Sequence, residues 1–455
     1  MRTGRDRVFW PELDHRYPVI VDAEGVRLRD SEGKAYLDAM SGGSMAATLG
    51  YGRGDLVEAA RRQASHLSFA HNELLTSTPQ ERLARELVAV APPGITRVQF
   101  VTGGAEANEA ALRLARSYHV ERGEEQRWRI VSPAQAYHGP TMATLALTGR
   151  PGLYEPFSPY LADHLHVPPA TWRFDPTGEA ALAALDRALD ECGEEICAYF
   201  CEVVSAASLP SYTPPLRFWE GLAERRERHG FLICVDEVVT GVGRTGEWFA
   251  SERLPFVPDV IATAKGLGAG YAAIGAVLCD DRVYRTVEAG SRRLPLGHTW
   301  SGAPLSCAVG VAVLEALQDE GHLAYVAEQG PWLRQALADA LGEMAIVREV
   351  RGHGFLLGVE YVDPRDGRSF LPPQLGVAGR IDAACMRRGL VILSTAPTGD
   401  GFAGDQSLFA PAFAAVRDDL KEMVATFADA VREVADTVEA ELAAVDAPPL
   451  HGVSA

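Results

Sequence analysis

Short apolar segments alternate with amphipathic helical segments from about residue 80 of this chain. The predicted elements are helices over 81–91, 106–120 and 217–230 and strands over 97–101, 128–132, 196–203, 231–236 and 259–263. The strand segments are almost continuously apolar, as in strands that are buried on both faces. The alternation therefore predicts an α/β fold with a mainly parallel sheet and helices on both of its faces.

Two further regions flank this alternating core. Residues 19–40 alternate apolar and polar side chains, which predicts a small antiparallel sheet. After a helix near 304–319 the pattern changes to further helices and short strands, one of them at 390–393, and the chain ends in a frayed tail over 446–455. The predicted units are a large domain over 66–325 and a smaller α+β domain built from 1–65 and 326–455.

Charge and cysteine content narrow the class of protein. The 61 acidic residues outnumber the 43 basic ones, giving a net charge of -18, which argues against nucleic acid or an anionic membrane as a partner. No apolar stretch reaches the roughly 18 residues that a membrane span needs, and the N-terminus lacks the apolar region of a signal peptide. Seven scattered cysteines without a Cys-x-x-Cys pair predict a reducing cytoplasm, and no metal site is expected.

An acid and a lysine follow two of the predicted strands. Asp236 ends the run FLICVD and opens DEVVTGVGRTG, and Lys265 follows DVIAT among small and glycine residues. A carboxylate in this position can keep a pyridinium nitrogen protonated, and a desolvated amine can form a Schiff base and transfer protons. The pair predicts pyridoxal 5'-phosphate (PLP), with Val238 packed behind the ring. Glu237 faces away, and we expect it to form a structural salt bridge.

Two more segments suit the same cofactor. In VQFVTGGAEANE, at 98–109, a strand is followed by two glycines and a helix that begins near Ala105, an arrangement that binds phosphate through backbone N–H groups. An ordinary strand–helix turn is the alternative. Tyr137 follows the next strand, where an aromatic ring can stack on a flat cofactor, although this residue taken alone is better explained as a half-buried loop aromatic.

Five blocks in this order and spacing resemble the class III (omega) aminotransferases, which are PLP enzymes of fold type I. The blocks are VTGGAEANEAALRLAR, AYHG, DEVVTGVGRTG, TAKGLGAGYAAIGAV and GHTWSGAP, and the resemblance extends over roughly residues 20–420. It implies a large domain with a mainly parallel seven-stranded sheet and a smaller α+β domain formed by both termini.

The resemblance also implies roles for individual residues. The implied cofactor contacts are Gly104, Ala105, Tyr137, His138, Glu202, Asp236, Val238, Lys265 and Thr299. Gly104 and Ala105 would bind the phosphate, and Thr299 would reach the phosphate of a neighbouring subunit. The expected assembly is therefore a homodimer, or a tetramer, with shared active sites. The sequence departs from the family after Glu202, where Val-Val-Ser-Ala replaces Pro-Val-Gln-Gly.

The sequence contains fewer indications of the substrate-binding residues than of the cofactor-binding residues. In many omega-transaminases an arginine near the position of Arg417 binds the substrate carboxylate, and the alternative is an arginine in the first turn of a surface helix. Arg351 is expected to be structural. Ser44 and Met45 lie in the loop expected at the pocket entrance, where omega-transaminases often have a large residue, so a roomier pocket is predicted.

The expected activity is that of an aminotransferase. A primary amine, an omega-amino acid or a β-amino acid would give its amino group to PLP, and pyridoxamine phosphate would pass it to a keto acid such as pyruvate in a ping-pong cycle. A decarboxylase, an aminomutase or a racemase on the same scaffold is the first alternative. A non-catalytic relative is the second, and the intact set of cofactor residues argues against it.

Overall fold

The computed structural model describes residues 7–295, 297–398 and 401–443, so the predicted frayed tail lies outside the described residues. The strands are β1 (Ile20–Glu24), β2 (Arg27–Asp30), β3 (Ala35–Asp38), β4 (Ile95–Val101), β5 (Arg129–Pro133), β6 (Leu165–Val167), β7 (Ile196–Glu202), β8 (Leu232–Glu237), β9 (Val260–Thr263), β10 (Gly275–Asp280), β11 (Val347–His353), β12 (Leu356–Tyr361), β13 (Leu390–Val391), β14 (Leu393–Thr395) and β15 (Gln406–Phe409).

The helices include those predicted over 81–91, 106–120, 217–230 and near 304–319, with ends shifted by up to three residues. They are α1 (Gly54–His66), α2 (Thr78–Val90), α3 (Gly104–Glu121), α4 (Met142–Leu145), α5 (Pro151–Tyr154), α6 (Glu179–Cys192), α7 (Leu216–His229), α8 (Asp281–Ala289), α9 (Pro304–Asp319), α10 (His322–Leu341), α11 (Val377–Arg387) and α12 (Arg417–Ala443). Helix α7 ends at Gly230, whose φ of 76° is the left-handed conformation that commonly terminates a helix.

The large sheet has seven strands in the order β4-β10-β9-β8-β7-β5-β6. Strand β10 is antiparallel to both of its neighbours, and the strands from β9 to β6 are parallel to one another. Leu232 and Cys234 of β8 belong to the hydrophobic cluster that includes α3, whereas Ile233 and Val235 belong to the cluster on the opposite face. The mainly parallel sheet that the sequence predicts, covered on both faces, is therefore confirmed.

Two smaller sheets combine segments that are distant in sequence. One has the order β1-β2-β3-β13, with β13 parallel to β3, and the other has the order β11-β12-β15-β14. The prediction of one strand over 390–393 is wrong, because the chain leaves the first sheet after Val391 and joins the second at Leu393. A run of four apolar residues has no periodicity that could mark such a change of sheet.

Helix α1, almost all of which belongs to the predicted N-terminal part of the small domain, packs against α9 of the predicted large domain. The domain boundaries at 65/66 and 325/326 stay predictions. Among the described residues, no helix combines the length and apolar character needed to cross a membrane.

Candidate active site

The carboxyl ends of the parallel strands meet at one edge of the large sheet. Glu202, the last residue of β7, is opposite Asp236 of β8 in the strand register, and Asp236 is opposite Ala262 of β9. Tyr137 follows β5, and Lys265 lies two residues beyond the end of β9. Ligands bind at this edge in open α/β sheets, so strand order alone brings the predicted residues together.

A cavity of about 730 Å³ opens at this edge, a size typical of cofactor and substrate sites. Ten of the predicted contact residues line it, namely Ser44, Met45, Gly104, Ala105, Tyr137, His138, Glu202, Asp236, Val238 and Lys265. Thr299 and Arg417 are not among the described residues that line it. The cavity therefore joins the predicted cofactor residues to the predicted entrance loop.

Asp236 is held by three donors. Its Oδ2 accepts hydrogen bonds from Asn108 Nδ2 at 2.6 Å and from His138 Nδ1 at 2.8 Å, and its Oδ1 accepts one from the backbone N–H of Val238 at 2.9 Å. Asn108 also donates to the carbonyl of His138 at 2.8 Å. Donors of this kind stabilise a carboxylate in its charged form, the form that pairs with a cationic ring nitrogen.

Asn108 was not predicted from the sequence. It lies in α3 four residues after Gly104, one helical turn from the N-terminus of that helix, and is almost completely buried. A polar side chain at a buried helical position is the signal that could have identified it, because buried polar groups normally have a specific partner.

Glu202 and Glu237 end neighbouring strands of the large sheet but have different environments. Glu202 faces the cavity, and burial raises the pKa of its carboxyl group to about 7. Ser205 Oγ and the N–H of Ala206 donate to its oxygens at 3.3 and 3.0 Å, so two residues of the divergent segment hold this side chain.

Glu237 is structural, but the predicted salt bridge is wrong. Its carboxylate accepts hydrogen bonds from Thr240 Oγ1 at 2.6 Å and from the backbone N–H groups of Ala250 and Ser251 at 2.9 and 2.7 Å. These neutral donors satisfy a buried carboxylate without a cation, because each donates one hydrogen bond to its oxygens.

Lys265 lies in a strained and desolvated position. Its φ of 33° is in the left-handed region, which costs a non-glycine residue free energy and is found most often at functional sites. Burial lowers the pKa of its ammonium group to about 8, although the nearby carboxylates of Asp236 and Glu202 act in the opposite direction. The side chain therefore supplies a neutral amine, the reactive form, at moderately alkaline pH.

The pKa of Lys265 predicts how fast the cofactor-free protein binds PLP covalently. We expect the rate of attachment to rise with pH through about 8 and to level off above it, because only the neutral amine reacts. Stopped-flow absorbance over a pH series measures this rate. A rate that still rises above pH 10, as for an exposed lysine, would show that burial does not lower the pKa of this amine.

The N-terminus of α3 is shaped for a phosphate. Its first backbone N–H groups lie at the cavity wall, where they and the helix dipole favour an anion. Gly104 is also required for packing, since a Cβ at this position would lie 2.6 Å from Val238 Cγ1. An anion site, a stabilised carboxylate, an aromatic ring and a neutral amine in one cavity fit PLP.

Hydrogen bonds from Arg244 hold the entrance loop in place. Its fully buried guanidinium donates to Ser41 Oγ at 3.1 Å and to the carbonyls of Pro411 and Phe355 at 2.7 and 3.2 Å. Burial lowers the pKa of Arg244 to about 9. Sequence reasoning assigned Arg244 only to a glycine-rich turn, because its partners lie more than 100 residues away.

The two remaining predicted residues lie outside the cavity. Thr299 is exposed in a turn beside His298, whose Nε2 lies 3.2 Å from Glu106 Oε2 in the first turn of α3. Arg417 begins α12, and its guanidinium carbon lies 3.7 Å from the ring centroid of Trp332. Their roles toward cofactor and substrate stay predictions. Arg351 pairs with Glu349 and Glu360 in the second small sheet, as expected of a structural arginine.

Comparison with known families decides the identity. A family model described as aminotransferase class-III matches residues 11–431. The chain is a class-III aminotransferase. The fold class and the enzyme class predicted from the sequence, a PLP-dependent transaminase, are thereby confirmed.

Individual relatives of this aminotransferase span almost its whole length. It is 33% identical to the uncharacterized aminotransferase YodT of Bacillus subtilis over 93% of this chain and 97% of that protein. It is also 33% identical to a putrescine–pyruvate aminotransferase of Pseudomonas aeruginosa over 84% of each chain.

Solved transaminases have the same architecture. A thermostable (S)-enantioselective omega-transaminase from Thermomicrobium roseum is 33% identical, with a TM-score of 0.85 over 92% of this chain and 93% of that one. An amine transaminase from an uncultivated Pseudomonas species, solved with PLP bound, is 27% identical, with a TM-score of 0.87 over 95% of this chain and 100% of that one.

Proposed function

We propose that this aminotransferase moves the amino group of a primary amine, an omega-amino acid or a β-amino acid to a keto acid such as pyruvate, with PLP as cofactor. The single observation behind the proposal is the cavity that joins Lys265, Asp236 and the N-terminus of α3 to an entrance lined by Ser44 and Met45. The putrescine–pyruvate aminotransferase of P. aeruginosa, similar over most of its length, supports this substrate class.

Each cavity residue has a defined task in this proposal. PLP supplies an electron sink when it is bound. Asp236, fixed by Asn108 and His138, would stabilise positive charge at the ring nitrogen of the cofactor. Lys265 Nζ removes and returns a proton at the substrate carbon, for which a pKa near the working pH is favourable. Tyr137 and Val238, which both line the cavity, would hold the ring between them.

The acceptor requirement distinguishes a transaminase from its rivals. We expect steady-state turnover of an amine to require pyruvate or another keto acid, with parallel double-reciprocal plots for the two substrates, as in a ping-pong cycle. A racemase or an aminomutase would convert its substrate fully without a keto acid, and a decarboxylase would release carbon dioxide. Any of these three results would contradict the proposal.

The entrance residues are proposed to admit bulky or extended amines. Ser44 is exposed at the cavity mouth, and Met45 is buried behind it with a φ of 64°. Two similar solved structures are variants of a thermostable omega-transaminase engineered for the synthesis of enantiopure bulky amines. We infer that the small side chain of Ser44 leaves room for such amines at the mouth of this cavity.

Enlarging Ser44 should narrow the substrate range. We expect Ser44→Trp to lower kcat/KM for a bulky arylalkylamine by about tenfold or more, a loss of about 1.4 kcal/mol, and to change kcat/KM for a small amine by less than about threefold. Ser44→Ala is the matched control and should behave like the wild type. If Ser44→Trp kept the wild-type kcat/KM for both amines, the entrance would not limit substrate size.

The assembly and the compartment are also proposals. A homodimer, or a tetramer built from it, would place Thr299 at the phosphate of a neighbouring subunit, and its exposure outside its own cavity is compatible with this role. Cytoplasmic localisation is supported by the seven cysteines, all of which are free thiols.

A further inference from the structure

The cavity contains a second cation besides Lys265. Among the described residues that line it, Arg150 is the only arginine. Sequence reasoning did not single it out, because a lone arginine after a glycine has no local pattern that marks a binding role. A half-buried guanidinium in a substrate cavity is a strong candidate for recognition of an anionic group, since it presents a planar set of donors to a carboxylate.

The backbone fixes Arg150 beside the cofactor segment. Gly149, the preceding residue, donates to the carbonyl of Ala136 at 3.0 Å and accepts from the N–H of Gln135 at 3.1 Å. This close pairing requires glycine, because a Cβ on Gly149 would lie 2.4 Å from Gln135 N. Arg150 is therefore attached directly to the strand end that presents Tyr137, and its position does not depend on a mobile surface loop.

The charge of Arg150 acts inside the cavity. Burial raises the pKa of the Tyr137 phenol, and the positive charge of Arg150 opposes that shift. Arg150 Nη1 donates to the carbonyl oxygen of Ala207, another lining residue, at 3.4 Å, so the guanidinium reaches the cavity wall at Ala207. Apolar surroundings strengthen the attraction between a guanidinium and an anion.

Arg417 occupies a different environment. Its guanidinium stacks on Trp332 at 3.7 Å and does not line the cavity. A role in carboxylate binding would require it to leave that ring, whereas Arg150 already faces the substrate space. We propose that Arg150 binds the carboxylate group of the amino-acid or keto-acid substrate. This proposal rests on the transaminase function proposed above.

Binding of a simple carboxylate tests the proposal without turnover. Propionate and its neutral isostere propionamide are titrated into the PLP-loaded enzyme at fixed ionic strength, with calorimetry or absorbance as the readout. We expect Arg150→Leu to weaken propionate at least about tenfold with no effect on propionamide, and Arg150→Lys to have an intermediate effect because it keeps the charge but loses the planar fork. Arg417→Leu is the matched comparison and should change propionate binding less.

The kinetic arm identifies which substrate supplies the carboxylate. Single-turnover reactions with putrescine, which has no carboxylate, should not be slowed in Arg150→Leu, whereas the steady-state KM should rise for β-alanine if the donor is bound there and for pyruvate if the acceptor is. Propionate binding equal to that of the wild type in Arg150→Leu would overturn the proposal. A protein that binds propionate through Arg150 but transaminates no amine would instead contradict the proposed function.

Discussion

Lys265→Ala is expected to abolish covalent attachment of PLP and to reduce transamination by at least about 10²–10⁴-fold, the range that proton transfer alone contributes. The reason is geometric, because Lys265 is the only lysine among the described residues that line the cavity, and its strained backbone directs it there. Borohydride reduction followed by mass spectrometry should show the mass of the cofactor on the Lys265 peptide of the wild type and on no peptide of the variant.

Two controls separate loss of the amine from loss of the fold. Lys421→Ala removes an exposed lysine paired with Asp418 on α12 and should leave both readouts unchanged. Added methylamine should restore part of the activity of Lys265→Ala, because a free amine can take over proton transfer in the space that the side chain leaves. A cofactor mass on a different lysine in the wild type would show that the assignment of Lys265 is wrong.

Asp236→Asn should have the second largest effect. We expect kcat to fall by at least about a hundredfold, which corresponds to about 2.7 kcal/mol, because a neutral amide stabilises a cationic ring nitrogen poorly. The amide would also place a donor against Asn108 Nδ2 or His138 Nδ1, both of which now donate to Oδ2. Steady-state kinetics with saturating PLP measures the loss.

The adjacent residue provides a matched control for this variant. Glu237 lies next to Asp236, but its carboxylate faces Thr240, Ala250 and Ser251 and lies outside the cavity lining. Glu237→Gln should lower the thermal midpoint, since its Nε2 would meet one of those donors, while kcat changes by less than about threefold. If Glu237→Gln lost as much activity as Asp236→Asn, the two carboxylates would not have the separate roles assigned to them.

Local sequence patterns predicted much of the fold and of the cofactor site. Asp236 and Lys265 each follow an apolar strand segment, and parallel strands bring such positions to one edge of a sheet whatever the exact strand order. The two glycines at the start of α3 predicted an anion site, because the geometry of a strand–helix turn is set by neighbouring residues.

Features that depend on distant contacts could not be predicted in the same way. Asn108, Arg150 and Arg244 acquire their roles from partners 57 to 203 residues away or from backbone pairing that no periodicity reveals. The antiparallel direction of β10 could not be predicted, because strand direction depends on pairing across the sheet and a local apolar pattern does not encode it.

The absorbance spectrum of the PLP-loaded enzyme, recorded before and after addition of a primary amine without a keto acid, tests the central claim most directly. The yellow colour of the bound cofactor should disappear stoichiometrically as the amino group is transferred, and pyruvate should restore it. A protein that takes up no PLP, or a yellow protein that no amine in a broad panel bleaches, would contradict the account.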